Sequence, residues 1–115
     1  MLKNLVTKPM TVRFPHEKII ISERYRGQHK YDIDKCVSCG LCARICPNRA
    51  IEMVEVEQSD GAQKSCPQID LGKCCFCALC EDVCPTDALI LTTEIPEAVF
   101  DINTLIKCPS TSSEG

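Results

Sequence analysis

Three rhythms of apolar and polar residues follow one another along this chain. In the first thirty residues the apolar positions are sparse and broken by proline. Leu2, Leu5 and Val6 recur at helical spacing, which predicts one short helical turn over 2–7, stopped by Pro9. Thr11–Pro15 reads as extended, because Pro15 disfavours helix at Phe14. The Ile19-Ile20-Ile21 cluster predicts a short strand over Lys18–Ser22, and Glu23–Gly27 predicts a turn with Gly27 as its turn residue. From Tyr31 onward the apolar positions flank closely spaced cysteines. Ile51–Val56 then alternates apolar with polar and predicts a strand, as does Leu89–Thr93. Glu57–Ser65 between them is polar and contains Asp60-Gly61, which predicts an exposed loop with a hairpin turn. At the end, Glu97–Ile106 carries an amphipathic pattern that predicts a short docked helix, and Pro109–Gly115 reads as disordered.

The middle of the chain is an internal repeat. Residues 31–51 match 69–89 at a constant offset, pairing Asp32 with Asp70, Lys35 with Lys73, Leu41 with Leu79 and Ala50 with Ala88. Such a repeat predicts two equivalent halves related by pseudo-two-fold symmetry. In each half a strand leads into the cysteine loop, a short helix follows Pro47 or Pro85, and a second strand closes the unit. The expected fold class is therefore α+β, with two hairpins and two helices. Residues 1–30 form an extended docking arm, 31–93 the repeated domain, and 94–115 a tail.

Composition sharpens this picture. A chain of 115 residues with no Trp is one domain with a thin core. Eleven cysteines would suit a small disulfide scaffold, but the count is odd and the spacing is that of metal ligands. Met1–Met10 carries Lys3 and Lys8 and no continuous apolar run of a signal peptide, so a reducing, cytosolic compartment is expected. The longest apolar cluster, Ile19–Ile21, is far short of a membrane span. Charge is uneven. Through residue 30 the bases Lys3, Lys8, Arg13, Lys18, Arg24, Arg26 and Lys30 face only Glu17 and Glu23, while acids exceed bases afterwards. A basic arm bearing Phe14, Tyr25 and the Ile cluster suits docking on a partner subunit or near anionic headgroups. No nucleic-acid-binding motif accompanies the basic residues, so nucleic acid is not an expected partner.

The candidate chemistry lies in two runs, Cys36-Val-Ser-Cys39-Gly-Leu-Cys42-Ala-Arg-Ile-Cys46-Pro47 and Cys74-Cys75-Phe-Cys77-Ala-Leu-Cys80-Glu-Asp-Val-Cys84-Pro85. Both read C-x2-C-x2-C-x3-C-P, which is recognised as the ligand pattern of bacterial two-cluster ferredoxins. In that pattern three thiolates on one tight loop hold one [4Fe–4S] cluster, and the fourth Cys of each run ligates the other cluster. Cluster one is then held by Cys36, Cys39, Cys42 and Cys84, and cluster two by Cys74, Cys77, Cys80 and Cys46. A structural zinc module is the competing reading, but zinc sites pair two CxxC knuckles and need no third Cys at the same spacing. Cys66, Cys75 and Cys108 belong to neither set and read as small buried apolar residues, with a partial third site or redox sensor as the alternative. Gly40 and Ala78 share a repeat position where a small residue either lets backbone N–H groups approach cluster sulfur or simply fits a tight loop. Arg44 and Arg49 stand where the second half has Asp82 and Asp87, so either the two clusters differ in potential or these are solvated helix-surface charges. His16 and His29 have no Cys at ligand spacing and read as surface or hydrogen-bonding residues. No nucleophile, phosphate-binding loop or acid–base pair suggests an independent substrate site.

Beyond the clusters, the chain resembles the two-cluster subunit of the respiratory complex I superfamily, which includes quinone oxidoreductases, reduced-deazaflavin dehydrogenases and energy-converting membrane-bound hydrogenases. The resemblance rests on Lys8-Pro9-Met-Thr11-Val-Arg-Phe14-Pro15, on Glu23-Arg24-Tyr25-Arg26-Gly27, and on Cys46-Pro47-Asn-Arg-Ala50-Ile51. It implies an electron-transfer subunit that catalyses no bond chemistry of its own. Two [4Fe–4S] clusters would relay electrons in series toward a cluster-bearing neighbour. The subunit would sit peripherally at the cytoplasmic face of the membrane through membrane-arm partners. The chain looks short for that family, which points to a compact archaeal or hydrogenase-like member. A soluble two-cluster ferredoxin and an electron-transfer subunit of a 2-oxoacid oxidoreductase are the alternatives.

Overall fold

A computed structural model describes residues 2–57, 61–96 and 98–108. The elements run α1 (Lys3–Val6), β1 (His29–Tyr31), α2 (Leu41–Ile45), β2 (Ile51–Glu57), β3 (Gln63–Asp70), α3 (Leu79–Asp82) and β4 (Leu89–Leu91), then a 3-10 turn (Ile102–Leu105) and β5 (Ile106–Lys107). This is a small mixed α+β domain drawn out into an elongated shape. Its extents are 67 × 26 × 23 Å, and its radius of gyration of 18.2 Å exceeds the roughly 13 Å of a compact chain this long.

Each leading strand pairs with the closing strand of the opposite half. β1 runs antiparallel to β4, with Tyr31 opposite Leu89. β2 runs antiparallel to β3, with Ile51 opposite Ile69. The joints are alike: Asp32 N–H donates to Ala88 C=O and Asp70 N–H to Ala50 C=O, each at 2.8 Å. The exchange buries Ile51, Ile69, Cys80 and Leu89 as one cluster between the two sheets, with Tyr31, Leu71 and Leu91 packed against it. Full burial of one such aliphatic side chain contributes about 1.5–3 kcal/mol. Few side chains do so here, so the core is thin and bound metal would supply part of the folding energy.

Several expectations need correcting. The helices precede Pro47 and Pro85 instead of following them. Proline drives the residue before it out of helix, and Cys46 accordingly leaves α2 at φ −62°, ψ 115°. Lys18–Ser22 forms no strand, since no neighbouring segment offers it a ladder. Thr11–Arg13 carries no regular element, and the chain turns over Phe14–His16 at a cis Phe14–Pro15 bond. Gly27 is not the turn residue. The turn is at Glu23-Arg24, and Gly27 lies buried with its N–H on Thr92 C=O at 2.7 Å. A Cβ there would strike the backbone oxygens of Thr92 and Glu94. Gln63–Ser65 belongs to β3 rather than to the loop, and the Asp60 turn position lies outside the described residues, as does the 109–115 segment. The 97–106 helix is replaced by the 3-10 turn and β5, which pairs with β3; Glu97 itself lies outside the described residues. Asp101 accepts the Asn103 N–H on its side chain and the Thr104 hydroxyl on its carbonyl. These local bonds favour a tight turn over helix.

Candidate metal centre

The loop between β1 and α2 carries Cys36 and Cys39, and the first turn of α2 carries Cys42. These three and Cys84, from beyond α3, line one small cavity closed by Tyr31, Met53 and Pro67. The other four thiols also form a group. Cys74 feels the charges of Cys46 and Cys77, and Cys80 those of Cys74 and Cys77. The fold therefore places Cys84 of the second run beside Cys36, Cys39 and Cys42 of the first, and Cys46 of the first run near Cys74 of the second. Among the described residues no three His, Cys, Asp or Glu side chains converge closely enough for a single ion.

The local backbone repeats with the sequence. Ser38 and Phe76 lie at φ 56° and 52°, Gly40 and Ala78 at 70° and 68°, and Arg49 and Asp87 both at 50°. The left-handed turns at 38 and 76 aim N–H groups at sulfur. Ser38 N–H donates to Cys36 Sγ at 3.4 Å and Phe76 N–H to Cys74 Sγ at 3.3 Å. Ala50 and Ala88 donate to Cys46 and Cys84, each at 3.3 Å. These four N–H groups donate to cysteine sulfur. Gly40 lines the cavity of the first four thiols, and its left-handed φ of 70° favours glycine.

Burial pushes the Cys42 and Cys74 thiols up, and Cys80 up to about 12. Cys84 goes the other way. Burial raises it, but the N–H groups of Thr86, Ala88 and Leu89 and the Thr86 hydroxyl together hold it below the ordinary thiol range. Thiols that burial keeps protonated become thiolates only against compensating cationic charge, which bound iron supplies.

Several contacts escaped the sequence pattern. His29 Nε2 lies 3.8 Å from Cys74 Sγ, although no spacing rule links residues 29 and 74. Burial lowers the His29 pKa, against an opposing pull from Glu81. Arg26 donates from Nη1 to Cys77 C=O at 3.2 Å, tying the arm to the second cysteine loop. Asn48 Nδ2 donates to Lys73 C=O at 2.8 Å, between the halves. The repeat offset offered one clue, since it puts His29 where the other half has Pro67. Of the leftover cysteines Cys66 is fully buried, whereas Cys75 and Cys108 are exposed. His16 is exposed.

Comparison with known proteins agrees with this geometry. The 4Fe-4S dicluster domain family matches residues 35–88. A curated NAD(P)H-quinone oxidoreductase subunit I from Prochlorococcus marinus is 52% identical over 44 residues, which are 38% of this chain and 21% of that protein. The same subunit from another strain of that species matches equally over 20% of its length. The chain thus spans about a fifth of the length of these curated relatives. A chain in the structure of the membrane-bound sulfane sulfur reductase, an archaeal respiratory membrane complex, superposes with a TM-score of 0.56 at 44% identity. That match covers 79% of this chain and 47% of the other.

Proposed function

We propose that this chain is an electron-relay subunit of a membrane-associated respiratory oxidoreductase; residues 35–88 match the 4Fe-4S dicluster domain family, and the chain is similar to subunit I of an NAD(P)H-quinone oxidoreductase and to a chain of the membrane-bound sulfane sulfur reductase. Two [4Fe–4S] clusters are its cofactors. Cys36, Cys39, Cys42 and Cys84 hold the first, and Cys74, Cys77, Cys80 and Cys46 the second. The observation that carries this reading is the crossed convergence of the two cysteine runs, Cys84 upon the first and Cys46 upon the second. When bound, the clusters supply one-electron redox chemistry; the chain supplies their frame.

That frame does three things. The N–H groups of Ser38, Phe76, Ala50 and Ala88 point at ligand sulfur and stabilise thiolate charge. The exchanged strands and the Asn48–Lys73 bond lock the two loops to each other, so no domain motion is needed between the sites. Matching left-handed residues at 38 and 76, 40 and 78, and 49 and 87 support a pseudo-two-fold relation between the halves.

The arm of residues 1–30 docks on neighbouring subunits. Leu2, Leu5, Met10 and Ile20 are each more than four-fifths exposed, and a free monomer would not leave so much apolar surface in water. No helix among the described residues is long and apolar enough to cross a membrane. By its likeness to a chain of an archaeal respiratory membrane complex, the subunit would meet the membrane peripherally, on its cytoplasmic face, through its partners. Affinity purification of the tagged chain from its native source tests this. The expected result is co-purification with membrane subunits and with iron and acid-labile sulfide, and loss of those subunits when residues 1–30 are deleted. A chain that elutes alone at its own mass, with its clusters, would instead be a soluble ferredoxin.

A further inference from the structure

The two halves match closely in backbone but differ in one side chain at the edge of each cysteine loop. His29 and Pro67 occupy the same repeat position. His29 stands opposite Leu91 in the β1–β4 ladder, and Pro67 opposite Met53 in the β2–β3 ladder. Pro67 lines the cavity of Cys36, Cys39, Cys42 and Cys84 and brings it no donor. His29 brings its Nε2 to 3.8 Å from Cys74 Sγ. Its ring lies against Phe76, with centroids 5.4 Å apart and planes inclined at 35°. Phe76 in turn donates its own N–H to that same sulfur.

The tautomer follows from the surroundings. Nδ1 of His29 is buried and meets no hydrogen-bond partner. A neutral imidazole carries one proton, and among the described residues the acceptor within reach of the ring is the Cys74 sulfur facing Nε2. Cys74 Sγ then receives two donors, one from the backbone and one from the side chain. Its counterpart, Cys36 Sγ, receives the backbone N–H of Ser38 and has the Tyr31 hydroxyl as a neighbour, but no imidazole stands at the repeat position.

We propose that His29 donates Nε2–H to the Cys74 thiolate and thereby raises the reduction potential of the second cluster, through an imidazole donor that the Pro67 side of the fold does not give the first. The proposal rests on the two-cluster reading. Hydrogen bonds to ligand sulfur are a recognised control of cluster potential. A donor stabilises the more electron-rich reduced form, so its effect on the potential is upward. His29 is a positioning and tuning residue; it is not a ligand.

The test is an EPR-monitored redox titration of the intact, cluster-loaded chain beside H29L and H29Q. Iron and sulfide content of the unaltered protein comes first. If they are absent, the two-cluster reading itself falls. With both clusters present, H29L is expected to lower one midpoint by a roughly tenfold shift in the oxidised–reduced equilibrium, which is about 59 mV for one electron. The other midpoint stays in place, and H29Q, which keeps an N–H donor, recovers part of the shift. Unchanged midpoints in H29L, or equal shifts of both, overturn the proposal. A second measurement needs no variant at all. His16 and His29 are the only histidines, and His16 lies exposed in the arm. Pulsed EPR of the reduced protein labelled with 15N-histidine is therefore expected to show a 15N coupling to one cluster, and its absence contradicts the hydrogen bond.

Discussion

Tyr31 shows how one hydroxyl ties the core to the first cysteine loop. Its oxygen is buried without a hydrogen-bond partner, and its electrostatic neighbours are the thiols of Cys36 and Cys66. Burial first, and those thiols second, push the phenol well above its ordinary range. The folded chain therefore holds this proton more tightly than the unfolded one. The stability so contributed is complete below the unfolded value of about 10 and is lost as pH rises beyond it. Cys80 acts in the same sense between its ordinary value of 9.0 and about 12. The metal-free chain should lose stability in urea between pH 8 and pH 11, and Y31F should flatten that loss in part; melts that superimpose with wild type at both pH values would contradict it. The charge asymmetry of Arg44 and Arg49 against Asp82 and Asp87 ranks lower. All four side chains are exposed, so at about 8 Å each acts through water-like screening and contributes roughly 0.5 kcal/mol. The half-buried imidazole proposed to donate to Cys74 would outweigh that charge effect. The grouping of Cys36, Cys39 and Cys42 in one cavity was legible from spacing, because three thiols at two-residue intervals admit few other uses. His29 was not, since β1 and the second cysteine loop are brought together by long-range strand pairing that no local pattern encodes.

At the scale of elements, the two cysteine loops obey one backbone plan with different residues. Gly40 and Ala78 cap α2 and α3 at the same left-handed conformation. Such a conformation costs a residue with a Cβ about 1–2 kcal/mol, a strain that glycine avoids. G40A should therefore destabilise the cluster-loaded protein by about 1 kcal/mol, while A78G should be neutral or stabilising by up to about 1 kcal/mol. Chemical denaturation under anaerobic conditions checks both signs, and equal effects in the two halves would contradict the shared plan. The repeat made the halves visible in sequence, and alternation made β2 visible. Helix placement was misread because Pro47 and Pro85 suit a helix start as well as a helix stop. The tail was misread because Ile106 and Lys107 become strand only by pairing with Asp70 and Ile69 of β3. Gly27 was read as a turn residue, but close backbone approach is what requires it there.

At the scale of the whole molecule, a cysteine-rich body carries a long basic arm whose apolar side chains are uncovered. Arg26 anchors the root of that arm on the carbonyl of Cys77, so a partner bound to the arm would lie in register with the second cysteine loop. The body depends on crossing: strands and core residues are shared between the halves. The proposed crossed ligation would make the halves interdependent in a way that two separate metal modules would not be. The most direct measurement is the EPR spectrum of the reduced, cluster-loaded C84S variant, compared with those of C36S and C74S. Cys84 lies in the second run but faces the cavity of the first. The C84S spectrum should therefore reproduce the disturbance seen in C36S and leave the other cluster's signal intact. A C84S spectrum that matches C74S instead would show that each run holds its own cluster, and would contradict the account.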